Sequence, residues 1–333
     1  MKKILIYEPN SSQALAIAKY IKKYSNYYIV GVLEEKIFFN KKNYDEIIIK
    51  NFIDIEIDKY DYVFPMGANS TYKIVNKYKK LYYKNEILFS YENLIAYDKP
   101  KMLNIAKALD IPIPKTFYEK EEIINFPIFY KETFENGGGV RGVAKNINEI
   151  PNYNNLIYQE YIDTPATYGV GFLAKNGEVV TYKQHKEVIS YPKEGGSAIV
   201  IENFNDDRLF QYTKKLLQEL NYNGWGLAEF KYCKNRNDFV FMEINAKFWA
   251  SIEFMLYNNN FLFKELLNID YLPKKVDKII FVNRYLNYNL INFIKNFKYF
   301  FYGKKIIENS LGIQLIRAII PNKIIGILKK ILK

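Results

Sequence analysis

Glu229 and Glu243 lie on two apolar stretches, Trp225 to Tyr232 and Asp238 to Ile244, joined by the polar turn Asn235-Arg236-Asn237. If these stretches are the arms of a β-hairpin, alternation puts Glu243 and Asn245 on one face, and Glu229 meets them across the ladder. Two carboxylates and an amide oxygen make a hard oxygen set that suits Mg²⁺, an ion that keeps waters and shares its ligands with nucleotide phosphates. The plain alternative is a pair of solvated glutamates. Against it, both sit among apolar neighbours, Leu227, Ala228 and Phe230 on one stretch and Phe241, Met242 and Ile244 on the other. A carboxylate buried in such company needs a cation.

Two further constellations bear charge. Lys131 ends an apolar strand and is followed by Glu132-Thr133-Phe134-Glu135-Asn136-Gly137-Gly138-Gly139-Val140-Arg141-Gly142. Glycines let backbone N–H groups approach phosphate oxygens, and a flanking lysine supplies charge. A flexible hairpin tip has the same composition. The second constellation is Gln184-His185-Lys186-Glu187, ahead of Tyr191-Pro192-Lys193-Glu194-Gly195-Gly196-Ser197. His185 and Lys186 beside a metal-phosphate site would offset charge developing on an acyl phosphate. A solvated strand end accounts for the same residues.

The elements that must hold these groups alternate along the chain. Lys3 to Tyr7 reads as a strand, and Ser11 or Ser12 caps a helix to about Tyr24. Tyr28 to Leu33, Glu46 to Ile49 and Asp61 to Pro65 read as further strands, with a helix from Asn69 to Lys80. Such alternation up to about Ile95 predicts a parallel sheet covered on both faces. No G-x-G-x-x-G follows the first strand, so dinucleotide binding is not indicated. Asp98 then caps a helix, Lys99 to Leu109, ended by Ile111-Pro112-Ile113-Pro114. From Phe126 on, the chain is strand-rich, and the Lys175-Asn176-Gly177 turn makes this part antiparallel. A helix from Asp206 to Leu220 precedes the glutamate-bearing hairpin, and another opens near Ala250.

The 333 residues suggest two or three domains, and 49% apolar residues allow a sizeable core. A single cysteine, Cys233, makes no internal disulfide, and a single histidine, His185, excludes a histidine-based metal cluster. Both fit a cytoplasmic chain. The opening Met-Lys-Lys and its short apolar run read as a strand rather than a leader, because Glu8 and Pro9 break the run. A net charge of +12 raises nucleic-acid binding, but the lysines are dispersed, and the Lys, Asn, Ile, Tyr and Phe excess is what AT-rich coding produces. No nucleic-acid partner is therefore assigned, and no oligomeric state.

In this order the motifs resemble the ATP-grasp superfamily over roughly residues 95–260, after a compatible N-terminal α/β domain. D-K-P-K-M-L-N-I-A-K-A-L-D-I-P-I-P-K-T is similar to the family's helix whose lysine contacts nucleotide phosphates, here Lys99. F-P-I-F-Y-K-E with the glycine-rich loop resembles the second phosphate lysine, Lys131, and its flap at Gly137, Gly138 and Gly139. L-I-Y-Q-E-Y-I resembles the linker whose backbone reads the adenine edge, at Gln159, Glu160, Tyr161 and Ile162. A-E-F with F-M-E-I-N-A-K-F-W-A-S resembles the metal pair, with Glu229, Glu243 and Asn245 as ligands of Mg²⁺, or of Mn²⁺ in its place. Its F-W-A-S ending looks closest to an uncharacterised carboxylate-amine ligase-like branch. Two positions depart from the pattern. Lys247 stands where relatives place arginine, and an ammonium lacks the bidentate fork of a guanidinium. Thr164-Pro165-Ala166-Thr167 stands near where an acidic residue usually holds the ribose.

The resemblance implies an N-terminal parallel α/β domain (1–95), an ATP-grasp domain (96–275) whose two α+β subdomains clasp nucleotide, with a lid at about 112–162, and a helical basic extension (276–333). It also implies a ligase that binds ATP and Mg²⁺ and activates a carboxylate as an acyl phosphate for attack by an amine. Lys131, His185, Lys186 and Lys247 are the expected catalytic cations. The rival readings are a carboxylase-like or phosphoryl-transferring enzyme of the same fold, and a nucleotide-binding peripheral membrane protein without turnover. The last draws on the departures at Lys247 and Thr164–Thr167 and on residues 321–333, where Ile324, Ile325, Ile327, Leu328, Ile331 and Leu332 oppose Lys323, Lys329, Lys330 and Lys333 on a helical wheel. Such a face lies on an anionic inner membrane surface or docks on its own domain.

Overall fold

The apolar run after Lys3 becomes strand β1 (Lys3–Tyr7), and Ser11 caps helix α1 (Ser12–Tyr24) by accepting from the Ala14 amide. The computed structural model describes residues 1–83, 86–134, 139–164, 166–191, 195–285, 298–301 and 303–308. β1 pairs in parallel with β2 (Tyr28–Leu33) and β4 (Tyr62–Phe64), and β2 with β3 (Glu46–Ile49), in the order β3-β2-β1-β4. This is the parallel sheet expected of the first domain. Helix α2 (Ala68–Tyr78) stops short of Lys80, because Lys79 adopts a φ of 65°, outside the helical region. A hairpin of β5 (Lys80–Tyr83) and β6 (Glu86–Ser90) follows, then a 3-10 segment, Tyr91–Tyr97.

Asp98 caps helix α3 (Lys99–Ala108) by accepting from the Lys101 amide, with Pro100 in the first turn, where its missing N–H leaves no bond unmade. A small antiparallel sheet comes next: β7 (Thr116–Phe117), β8 (Ile128–Glu132), β9 (Arg141–Ala144) and β10 (Leu156–Glu160), in the order β7-β10-β8-β9. It has its own core of Ile128, Ala144, Ile150, Leu156 and Tyr158.

The large sheet is built from β11 (Thr167–Lys175), β12 (Glu178–Tyr191), β13 (Ser197–Asn203), β14 (Gly224–Cys233) and β15 (Asp238–Asn245), with α4 (Asp207–Glu219) against β11 and β12. β11 and β12 turn at Asn176 (φ 49°) and Gly177 (φ 78°), the two positive values that a type I′ hairpin turn demands. Helices α5 (Ile252–Asn258) and α6 (Phe261–Leu267) complete it. The first domain is bolted on by aromatic packing: Tyr24 of α1 stacks on Tyr271 at 4.7 Å, and Trp225 stacks on Phe248 at 4.3 Å while meeting Phe64 edge-on at 5.5 Å. Lys19 of α1 also pairs with the buried Glu253 at 2.5 Å.

The stretch after residue 276, expected to be helical, adds two strands to the large sheet. β16 (Lys278–Phe281) pairs antiparallel with β13, and β17 (Lys304–Ile306) pairs parallel with β16, giving the order β15-β14-β11-β12-β13-β16-β17. Short helices α7 (Val282–Tyr285) and α8 (Lys298–Phe301) lie between them in the chain. Ile279, Ile280 and Phe281 are buried. A short apolar run has the same composition in a buried helix or a buried strand, so only its partner β13 decides. The amphipathic stretch 321–333 lies outside the described residues, as do Gly137 and Gly138. Among the described residues no helix is long and apolar enough to cross a membrane.

Candidate active site

β14 and β15 pair with Glu229 opposite Glu243 and Leu227 opposite Asn245, and the register slips by one residue beyond Glu229, so Met242 is an extra residue on β15. In a regular strand Phe241 and Glu243 would face the same side. The bulge separates them: Phe241 packs against Phe230 at 5.7 Å, and Glu243 lines a cleft. The Met242 carbonyl accepts from the Lys131 ammonium at 3.2 Å, and Glu243 Oε2 lies 3.3 Å from the same nitrogen.

Burial pushes the Glu229 carboxyl up to about 8; Glu243 and then Glu187 add repulsion, while Lys247 and Lys131 act against the rise. Burial likewise lowers the Lys131 ammonium, with Glu243 opposing and Lys99 reinforcing the shift. Asn245 Nδ2 sits 3.5 Å from Glu243 Oε1, and a half-turn of that amide would present its oxygen instead. A buried carboxylate whose charge is unfavourable, a second carboxylate on the same rung and an amide together fit a hard divalent ion. Among the described residues no three His, Cys, Asp or Glu side chains gather round one point, so the remaining ligands of such an ion would be phosphate oxygens and water.

The Glu229 environment gives a stability test. With a folded pKa of about 8 against an ordinary 4.5, the folded state binds more protons than the unfolded chain between those values, so metal-free stability falls as pH rises through that window. Glu229→Gln removes the charge and keeps the shape. It is expected to raise the metal-free melting temperature by about 3 °C or more at the upper end of the window and to flatten the dependence on pH. Scanning fluorimetry in chelator across that range checks this, and an unchanged or lower melting temperature contradicts it.

The cleft lies between the small and large sheets and has a volume of about 530 Å³, within the span of small-molecule sites. Lys99, Lys131, Glu160, Tyr161, Ile162, Glu229, Glu243, Asn245 and Lys247 line it together. Lys99 and Lys131 are 5% and 4% exposed. The Lys99 amide donates to the Thr133 carbonyl at 2.9 Å, which ties the start of α3 to the end of β8. Glu160 accepts from the Lys115 amide at 2.9 Å and pairs with the Arg236 guanidinium, so its side chain joins the linker to the β14–β15 turn.

Other expected residues lie elsewhere. The Gln159 side chain, on which the expected backbone role does not depend, donates from Nε2 to Thr116 Oγ1 at 3.2 Å. Gly139 packs beside the Glu132 carboxylate, which accepts from the Val140 amide at 2.8 Å. His185 and Lys186 do not both face the cleft, because neighbours on a strand point to opposite sides. Lys186 sits with its ammonium 5.8 Å from the Tyr168 ring centre, outside the cleft lining. His185 is on the cleft's side of the sheet but only 2% exposed, beneath Glu187. Glu187, Arg141 and Lys231 line the cleft although the sequence reading assigned them no role. Glu187 follows only once the register is known: alternation carried from Glu229 through its rung partners Gly169 and His185 leads to it.

No family model and no curated protein matches the sequence. Among solved structures the chain is similar to N5-carboxyaminoimidazole synthetase from Staphylococcus aureus complexed with ADP, at 13% identity and a TM-score of 0.61 over 82% of this chain and 78% of that one. It is similar to a biotin carboxylase-beta-gamma-ATP complex from Campylobacter jejuni, at 19% identity and a TM-score of 0.60 over 82% and 72%. It is also similar to phosphoribosylglycinamide synthetase from Anaerococcus prevotii, at 15% identity and a TM-score of 0.56 over 77% and 71%. The chain has the ATP-grasp fold. The cleft is the gap between the sheet β7-β10-β8-β9 and the large sheet.

Proposed function

We propose that this ATP-grasp chain is an ATP- and Mg²⁺-dependent ligase that activates a carboxylate as an acyl phosphate for attack by an amine, releasing ADP and phosphate. The observation that carries the reading is the rung Glu229–Glu243 beside the buried Lys131, with Lys99 in the same cleft. Two of the similar structures are complexes with ADP and with a beta-gamma-ATP ligand. Glu229, Glu243 and Asn245 would hold the Mg²⁺, which supplies charge compensation on the phosphoryl oxygens. Lys131 and Lys99 present two ammonium groups to the phosphates, and Glu243 works against the lowering that burial imposes on Lys131. A carboxylate oxygen attacks the γ-phosphorus and ADP leaves. The amine nitrogen then attacks the acyl carbon, phosphate departs with the former carboxylate oxygen, and the nitrogen releases a proton to solvent. Residues of the chain position and shield these steps, since an acyl phosphate exposed to water hydrolyses.

The test is to incubate the protein with ATP, Mg²⁺, pooled carboxylic acids and hydroxylamine. Hydroxamate formed with ADP, not AMP, as the co-product is the expected result, and its absence from every acid pool defeats the reading. A second reading, with bicarbonate as the acid, draws on the carboxylase among the similar structures. ADP release that needs bicarbonate and no organic acid would select it.

A further inference from the structure

We infer that Glu187 anchors the positive charge of the amine substrate, so that the acceptor is a cationic amine, with an ammonium group at or beside its nucleophilic nitrogen. The inference rests on the ligase reading and assigns its second substrate a chemical class.

Four carboxylates line the cleft: Glu160, which pairs with the Arg236 guanidinium, and Glu187, Glu229 and Glu243. Glu243 lies beside Lys131, and Glu229 shares its rung, so a divalent ion and a lysine account for both. Neither accounts for Glu187. Its side chain belongs to a residue only 8% exposed, with Ser190 Oγ donating to Oε2 at 3.2 Å. Among the described residues the basic group within ion-pair range is His185, whose Nε2 lies 3.7 Å from Oε1, beyond hydrogen-bond distance. That nitrogen is itself buried and has no hydrogen-bond partner. A carboxylate and an imidazole nitrogen are thus both desolvated at the cleft wall, with one hydroxyl between them to offset the loss of water. Such a pair is costly unless a donor from outside completes it.

An ammonium group fits, since it donates up to three hydrogen bonds and needs no fixed coordination number. The spacing suits a second substrate as well. Glu187 is on β12 and Glu229 on β14, with β11 between them and Glu187 two residues off the Glu229 rung, so their backbones lie at least two strand spacings, about 10 Å, apart. On β11, Thr167 stands opposite Glu187 and lines the cleft, and Gly169 stands opposite His185. A side chain at Gly169 would meet His185 Nε2 at 2.7 Å, so the imidazole fills the space it would have taken.

The experiment compares nucleophiles at neutral pH, using the full chain, Mg-ATP and the acid found by hydroxamate formation. Ethylenediamine and L-lysine carry an ammonium group, whereas hydroxylamine is neutral. The readout is the ratio of kcat/KM for the cationic amine to that for hydroxylamine. Glu187→Gln is expected to lower this ratio about 10- to 100-fold, as for loss of a charge-assisted hydrogen bond, and Glu187→Asp to retain most of it. A ratio within about twofold of wild type in Glu187→Gln overturns the inference, as does a wild-type protein that forms hydroxamate yet uses neither cationic amine. If Glu187→Gln does not fold, Ser190→Ala carries the comparison. Loss of the orienting hydroxyl should lower the ratio about threefold or more, and an unchanged ratio overturns the inference. A wild type that forms no hydroxamate at all defeats the ligase reading itself, a distinct outcome.

Discussion

Glu243→Gln is expected to lower magnesium-dependent ATP turnover about 1000-fold. Glu243 is a part-exposed member of the carboxylate rung, with a side chain 28% accessible, and it lies 3.3 Å from the Lys131 ammonium. It therefore serves two cations, the divalent ion and the lysine. The amide that replaces its carboxylate would have one acceptor oxygen and no charge, so the ion would lose half of its carboxylate charge and the lysine its counter-ion. Glu229 would not compensate, because it already gives its own carboxylate to the ion. The metal dependence should move with the turnover: the Mg²⁺ concentration for half-maximal rate should rise more than tenfold. Turnover within tenfold of wild type, at an unchanged Mg²⁺ dependence, would falsify the assignment of this rung as the metal site.

Lys131→Met is expected to cost about 100- to 1000-fold in kcat/KM for ATP, with little loss of stability. The side chain is almost fully buried, and burial lowers its pKa, so the folded chain bears a desolvation cost to keep an ammonium there. Methionine follows the same apolar path and discards both the charge and its cost. A purely structural lysine would behave otherwise, since breaking a buried pair leaves an unmatched carboxylate and typically costs about 3–5 kcal/mol. Glu243 is only part-buried, so water takes over its solvation when the lysine is gone. The decisive measurement pairs steady-state kinetics with a melting curve. A large fall in melting temperature with rates near wild type would assign Lys131 to the fold rather than the chemistry. Effects of Glu243→Gln and Lys131→Met should not add, because the two side chains share one contact.

Much of the architecture was legible because it is written in local signals. Ser11 and Asp98 cap their helices as their positions before apolar-periodic runs predict, and Asn176-Gly177 makes the tight turn that its positive φ values allow. The strands Lys3–Tyr7 and Glu46–Ile49 fall where their apolar runs do. The metal-type donors were legible for a different reason: glutamates inside apolar strands are chemically conspicuous wherever the strands end up. β5, β6, β7, β13, β16 and β17 were not read. β7 is two residues long, and β16 and β17 are short runs whose identity as strands depends on pairing with segments far along the chain.

The side chains of the Gln184–Glu187 segment show the boundary most clearly. Composition singled out the segment, but which of its four residues reaches the cleft follows from rung partners on β11 and β14. Glu187 reaches it, Lys186 does not, and His185 lies beneath.

By itself, then, the sequence determined where the locally signalled helices and strands begin, which of them alternate as a parallel sheet, and which residue types gather the negative and positive charge. Capping, turn geometry and apolar periodicity act over a few residues, so they are complete in the linear chain. Tertiary structure alone decided the phase of the site. The extra residue at Met242 turns Phe241 into the core and Glu243 into the cleft, and it leaves a carbonyl for Lys131. A bulge is a property of two strands in register, and no count along one strand contains it.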